Sequence, residues 1–159
     1  MDFKNTISVL NDFGKFLVEE YKDQLILNNV NASDTLYKSV KYTINNRGKY
    51  FEVNLSLEHY WKYVENGRKP GKWPPIKAIK DWIEIKPVLA QPMDNGKLPT
   101  NEQLAFLIAR KIGLEGIAPR PLLQQSINEV WRVMKEFLEE ALAKDMEKEI
   151  SIELGRMRI

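Results

Sequence analysis

The sequence predicts an α+β fold in which a small antiparallel sheet, built on a β-hairpin, packs against an N-terminal helix and a long C-terminal helix. Apolar residues recur at helical spacing near the N-terminus, alternate at strand spacing over residues 40–57, and return to helical spacing after Pro121. With 159 residues, 43% of them hydrophobic, the chain is long enough for one core. We therefore expect a single domain over 1–159, with residues 72–117 as a helical and loop elaboration within it.

The first helix is predicted to end at about Leu27. Its apolar residues lie three or four positions apart, which places them on one helix face: Ile7, Leu10, Phe13, Leu17, Tyr21 and Leu25. The following stretch, 28–34, is rich in Asn, Ser and Asp, whose short side chains favour turns. Ser33 or Asp34 is a candidate cap for a short helical turn through Ser39.

A β-hairpin is predicted next. Residues 40–45 and 52–57 alternate apolar with polar side chains, so each run offers one apolar face. The turn between them, 46–49, contains a glycine for a positive φ angle. A short helix should follow over 60–65 and end at Gly67.

The middle of the chain is predicted to alternate loops with short helices. Residues 68–75 hold three prolines and read as a surface loop, and a short amphipathic helix after it should stop at Pro87. The stretch 86–99 is a second, longer loop. Thr100 opens a capping box, and the helix that it starts is predicted to run to Gly113.

The last helix should begin at Pro121 and continue for roughly 28 residues, about 40 Å at 1.5 Å per residue. That length exceeds what a domain of this size needs for its own core, so we expect part of the helix to meet a partner. Alternating apolar residues over 150–154 predict a short closing strand.

The residue inventory argues against an enzyme. The chain has no Cys and a single His, His59, which excludes thiolate chemistry and a His-rich metal site. There is no Gly-flanked Ser for a triad and no Gly-rich phosphate loop, and the carboxylate doublets Glu19-Glu20 and Glu139-Glu140 point in different directions on their helices. We expect no catalytic residues, no cofactor and no metal. With a net charge of +2 and no signal or membrane segment, we expect a soluble protein made inside the cell.

Two charged segments are candidate partner surfaces. Residues 61–86 carry seven basic against three acidic residues, a local charge of +4, and Trp73 and Trp82 lie among them. The Trp side chains could stack on single-stranded bases while the basic residues neutralise the phosphates. Alternatively, the segment could be a solubilising loop with two core Trp. Residues 135–149 carry a local charge of −3, which suits a head-to-tail contact between identical subunits or a simple solvated face. The candidate partner-binding residues are Arg68, Lys69, Lys72, Trp73, Lys77, Glu136, Glu139 and Glu140.

Three short segments, in order, carry a family resemblance. The first is Thr35-Leu36 with Ser39-Val40, the second runs from Tyr60 through Tyr63-Val64-Glu65 to Gly67, and the third is Pro119-Arg120-Pro121-Leu122-Leu123. This order resembles the tail-component and tail-completion (neck, head-to-tail joining) proteins of long-tailed bacteriophages. Two positions depart from the family pattern: the usual Gly of the first segment is displaced, and Leu122 replaces an aromatic residue.

The resemblance implies a structural virion protein, made in the host bacterial cytoplasm and placed in the neck or tail of the virion. It implies a ring of six or twelve copies that joins the portal or connector to the tail tube. Contact with genomic DNA in the channel is possible, and no membrane is involved. The alternative function is a small nucleic-acid-binding module that uses residues 61–86.

Overall fold

The protein is α+β, as predicted, and a computed structural model describes residues 3–30, 34–48, 50–86, 88–94 and 96–157. In chain order, the elements within these ranges are α1 (Lys4–Leu27), α2 (Thr35–Ser39), β1 (Lys41–Asn46), β2 (Phe51–Ser56), α3 (Trp61–Asn66), α4 (Ile76–Ile85), α5 (Asn101–Glu115) and α6 (Leu122–Arg156). None of the helices in these ranges is long and apolar enough to cross a membrane.

Helices α1 and α6 form an antiparallel pair that serves as the spine of the fold. The end of α1 packs on the start of α6, where Leu25 and Leu122 share a buried cluster, and the start of α1 meets Asp145 on the far part of α6. The hairpin of β1 and β2 lies against this pair, with Tyr42 opposite Leu55 in an antiparallel register. The predicted packing of the sheet on both long helices is therefore confirmed.

Two adjoining clusters make up the core. The larger contains Tyr21, Leu25, Leu36, Val40 and Leu122, and the smaller contains Leu17, Val130 and Met134. Leu55 packs against both clusters, so the hairpin joins them. Burial raises the pKa of the Tyr21 hydroxyl to about 12, with a further increase from Glu65 and Tyr60. This phenol is therefore neutral at any physiological pH.

The hairpin approaches α1 closely because α1 carries a glycine at the contact. A Cβ atom on Gly14 would lie only 2.3 Å from Cδ2 of the Tyr42 ring, closer than packed carbon atoms approach. Glycine in a helix interior costs roughly 1 kcal/mol relative to alanine. At this position the cost is offset by seating an aromatic ring directly on the helix backbone.

The carboxylate of Asp145 closes the other end of the helix pair. Helix α1 has no side-chain cap of its own at Phe3. Oδ1 of Asp145 instead accepts from the backbone N–H and side-chain amide of Asn5, at 3.2 and 2.8 Å, and Oδ2 accepts from the backbone N–H and hydroxyl of Thr6, both at 2.7 Å. Burial by itself would raise the pKa of Asp145, but these hydrogen bonds outweigh it and hold the pKa below its ordinary value.

Two boundaries of the helical elements differ from the prediction. The expected strand over 150–154 is wrong, because α6 continues through it to Arg156 and reaches 35 residues, about 52 Å. Ile150 and Leu154 are also four positions apart, a spacing that fits a helix face as well as an alternating strand. Helix α5 likewise passes through Gly113 and ends at Glu115.

The remaining boundaries follow the prediction. Helix α1 ends at Leu27, and the capping box of Thr100 and Gln103 is present at the start of α5. Asp34 occupies the N-cap position of α2 but makes no side-chain capping hydrogen bond there, and the alternative cap Ser33 lies outside the described residues. Helix α4 ends at Ile85, and Pro87, the predicted stop, is also outside them.

We predict that Asp145→Asn lowers stability at neutral pH and weakens its dependence on pH in the acid range. An amide would place an N–H₂ group against the N–H donors of Asn5 or Thr6. Because the folded pKa of Asp145 is depressed, its contribution is complete above the unfolded aspartate value of about 4 and is lost as the pH falls through the folded value. Urea unfolding followed by circular dichroism at pH 7 and pH 3 measures both effects.

The matched control is Asp81→Asn, an exposed aspartate on α4. It should leave the unfolding midpoint close to that of the wild type at both pH values. An Asp145→Asn protein whose stability falls with acid as steeply as the wild type would contradict the assigned role.

Candidate partner-binding surfaces

The second and third signature segments meet at one junction, where α3 ends and α6 begins. Helix α6 has no side-chain cap at Pro121, and the carboxylate of Glu65 takes that place. Its two oxygens accept from the backbone N–H groups of Leu123 and Gln124, each at 2.9 Å. The backbone N–H of Arg120 donates to the carbonyl oxygen of Val64 at 2.9 Å. Glu65 therefore fixes the start of the long helix from a distant part of the chain.

Gly67 allows the two segments to come this close. Its φ angle is +66°, and a Cβ atom there would lie 2.2 Å from the carbonyl oxygen of Ile117 and 2.7 Å from the nitrogen of Pro119. Next to it, Arg68 and Ile117 exchange two backbone hydrogen bonds as an isolated antiparallel bridge. Only glycine combines this left-handed conformation with so short an approach.

The first signature segment packs into the same region. Leu36 and Val40 belong to the larger core cluster, and Tyr60 and Val64 of the second segment pack against it together with Leu122 of the third. The three segments thus surround one core. These apolar residues hold the fold together, whereas Tyr63 of the second segment is exposed.

The basic loop 68–75 is held against α5. The backbone N–H of Gly71 donates to the carbonyl oxygen of Gly113 at 2.8 Å, and the indole of Trp73 lies on Gly113 and edge-on to Phe106, with ring centroids 5.7 Å apart. A Cβ atom on Gly113 would lie 2.3 Å from Trp73 Cδ1. Gly113 therefore lies inside the helix and does not end it, and the missing side chain of this glycine makes room for the indole of Trp73.

The structure divides the seven basic residues of 61–86 into two groups. Three are engaged within the chain: Arg68 donates to the carbonyl oxygen of Lys72, Lys80 lies 4.0 Å from Glu102, and Lys86 donates to Asn29. The other four are exposed, namely Lys62, Lys69, Lys72 and Lys77. Trp73 is 46% exposed beside them, and Trp82 is 37% exposed, so neither is the core tryptophan of the alternative interpretation.

The acidic surface of α6 is weaker than its formal charge predicts. Asp145, one of the six acids of 135–149, is buried against α1. Glu139 pairs with Lys135 at 3.6 Å and Glu140 with Lys144 at 3.3 Å, both as neighbours one turn apart. Glu136 is exposed. The candidate acids Glu136, Glu139 and Glu140 therefore form a largely compensated face.

Two apolar surfaces were not identified from the sequence. One is a pocket of about 370 Å³, here called the insert pocket, between α3, α4, α5 and the segment before α6. Its apolar lining includes Tyr63, Val64, Ile79, Trp82, Ile108 and Ile112, and Lys86 and Arg120 also line it. Because its walls come from segments up to 90 positions apart, no local pattern in the sequence announces it.

The second apolar surface is a row on α6, here called the distal row, of Leu142, Met146, Ile150 and Leu154. These side chains are spaced four positions apart and are 38%, 48%, 56% and 56% exposed. Among the described residues of α6, the last buried one is Asp145, so most of the row lies beyond the contact with α1. The four-residue spacing of this row is present in the sequence, but residues 150–154 also alternate, and that alternation predicts a strand.

Comparison with protein-family models, with curated proteins and with solved structures found no match to this chain. The resemblance to phage tail-completion proteins therefore stays a prediction.

We predict that Gly113→Ala releases Trp73 from α5, although alanine favours a helix by roughly 1 kcal/mol over glycine. The added Cβ atom would occupy the position of the indole, so the loop 68–75 must move. Trp fluorescence should shift to longer wavelength and its quenching by iodide should increase. The matched control is Gly155→Ala on α6, where nothing lies within 4 Å of the added atom. That change should leave the fluorescence unchanged, and an equal response of both variants would contradict the prediction.

Proposed function

We propose that this chain is a non-enzymatic structural protein of a tailed bacteriophage virion, a ring-forming head-to-tail connector or tail-completion component that joins the portal or connector to the tail. Its partners in this proposal are further copies of itself and neighbouring virion proteins. The observation that carries the proposal is the far end of α6, which extends about 16 Å beyond Asp145 with apolar side chains exposed.

A helix end with exposed apolar side chains is expected of a protein that buries these side chains only when it assembles. Contiguous exposed apolar surface on a soluble chain marks a site of protein–protein contact or a membrane contact. Exposed apolar residues recur along α6 from Trp131 to Leu154, and those after Asp145 lie beyond the last buried residue that the structure describes in this helix. The order of the three signature segments adds the specific expectation of the phage neck.

We predict that the purified full chain forms a closed oligomer of one stoichiometry, seen as a single mass by native mass spectrometry and as rings by negative-stain microscopy. The double variant Ile150→Glu and Leu154→Glu should be folded by circular dichroism yet monomeric, because two charges would replace the exposed apolar row. The control Lys148→Glu, on another face of α6, should assemble like the wild type. A wild-type chain that stays monomeric at high micromolar concentration would contradict self-assembly.

Nucleic-acid binding is the second candidate function. Trp73 contacts Phe106, both are exposed, and the exposed Lys69, Lys72 and Lys77 lie within four positions of Trp73 in the sequence. This combination of aromatic rings and cations suits a single strand. In a ring on the path of the genome, the same surface could face the DNA.

We predict for this second function that the chain binds a single-stranded oligonucleotide with a steep dependence on salt. Changing Lys69 and Lys72 to Glu should abolish that binding, and changing both to Gln should reduce the slope of log K against log [salt] by about 1.4, since each lost phosphate contact removes roughly 0.7. Fluorescence anisotropy over a salt series measures both. Binding that is unchanged in the Glu double variant would exclude this loop as the contact.

A further inference from the structure

We propose that the distal row of one subunit docks in the insert pocket of the next subunit, which makes the contact between copies head-to-tail. This inference rests on the proposed ring function and names the two surfaces that would build it. Both surfaces are apolar, they carry opposite charge at their edges, and they lie at opposite ends of the same molecule.

The insert pocket offers an apolar space with a positive edge. Its volume of about 370 Å³ accommodates large aliphatic side chains, and its apolar lining includes Val64, Ile79 and Ile112. The two charged residues among the described lining are both cations, Lys86 and Arg120. Each donates to a backbone carbonyl oxygen, of Asn29 and Asn28 respectively, and neither hydrogen bond neutralises its charge.

The distal row offers aliphatic side chains with a negative edge. At about 100° per residue, Glu147 and Glu153 lie roughly 60° to either side of Ile150. Glu147 is exposed, and Glu153 pairs with Arg156 one turn later. Lys148 lies about 160° away from Ile150, on the far side of the helix. Arg156 compensates the charge of Glu153, so the exposed carboxylate of Glu147 supplies the negative edge that complements an apolar pocket edged by cations.

The positions of the two surfaces on the fold decide whether their contact forms within one subunit or between two. The insert pocket adjoins the end of α1 at Val30 and the start of α6 at Arg120, whereas the distal row follows Asp145 at the other end of the helix pair. From Leu122 to Asp145 the helix rises about 35 Å. A subunit therefore cannot fill its own pocket with its own row. When a patch on one copy binds a different patch on the next copy, repeating the contact generates a ring, provided that the rotations between copies add up to a full turn.

Cysteine cross-linking tests the contact cleanly, because the chain has no native Cys. Tyr63→Cys places a thiol at the pocket on a side chain that is 58% exposed, and Ile150→Cys places one in the row. The two single variants are mixed, oxidised mildly and separated on a non-reducing gel. We expect a mixed disulfide dimer from this pair. Ala118→Cys, at an exposed position of the pocket lining, is the second pocket variant, used if Tyr63→Cys fails to fold by circular dichroism.

The control replaces Ile150→Cys with Lys148→Cys, which lies on the far side of the same helix and should give no mixed dimer. Self-linking of Ile150→Cys alone would overturn the inference, because it would show that α6 pairs symmetrically with its own copy. Oligomers seen by native mass spectrometry without any mixed disulfide would overturn the docking contact and leave the ring proposal standing. A wild-type chain that is monomeric and forms no mixed disulfide would overturn both.

Discussion

Carboxylates supplied from far along the chain close the N-termini of the two long helices, and the architecture depends on these contacts. The first turn of a helix leaves N–H groups without partners and carries a partial positive charge. Neither α1 nor α6 satisfies these groups with a side chain at its own N-cap. Asp145 does so for α1 from 139 positions away, and Glu65 does so for α6 from 58 positions away. At both sites, the hydrogen bonds that cap the helix also join it to a distant part of the chain.

The signature segments serve mainly the fold, although Tyr63 and Arg120 also line the insert pocket. Val64, Glu65 and Gly67 are fully used in joining α3 to α6. Apolar side chains of the insert and of the end of α6 are partly exposed. The exposed apolar residues at the end of α6 lie outside all three signature segments.

A helix or strand was predictable from the sequence where its position depends on a pattern of neighbouring residues alone. The period of α1, the alternation of the hairpin and the capping box at Thr100 each depend on neighbouring residues, and all three were identified. Gly113 was mistaken for a helix end because its role is set by Trp73, which contacts it from 40 positions away. The insert pocket and the cap by Glu65 also depend on distant segments. Asp145 could be identified from the sequence, because it lies four positions after Ala141 on the buried face of α6, where the helical pattern predicts an apolar residue and the chain has an acid.

The way in which α1 and α6 are joined has a mechanical consequence. Hydrogen bonds to Asp145 hold one end of the pair, and the core cluster of Leu25 and Leu122, with the hydrogen bond from Arg120 to the Asn28 carbonyl, holds the other. A force along the helix axes would have to shear both ends at once, whereas a force across them could open one end at a time. The pair is therefore stiffest along its own length.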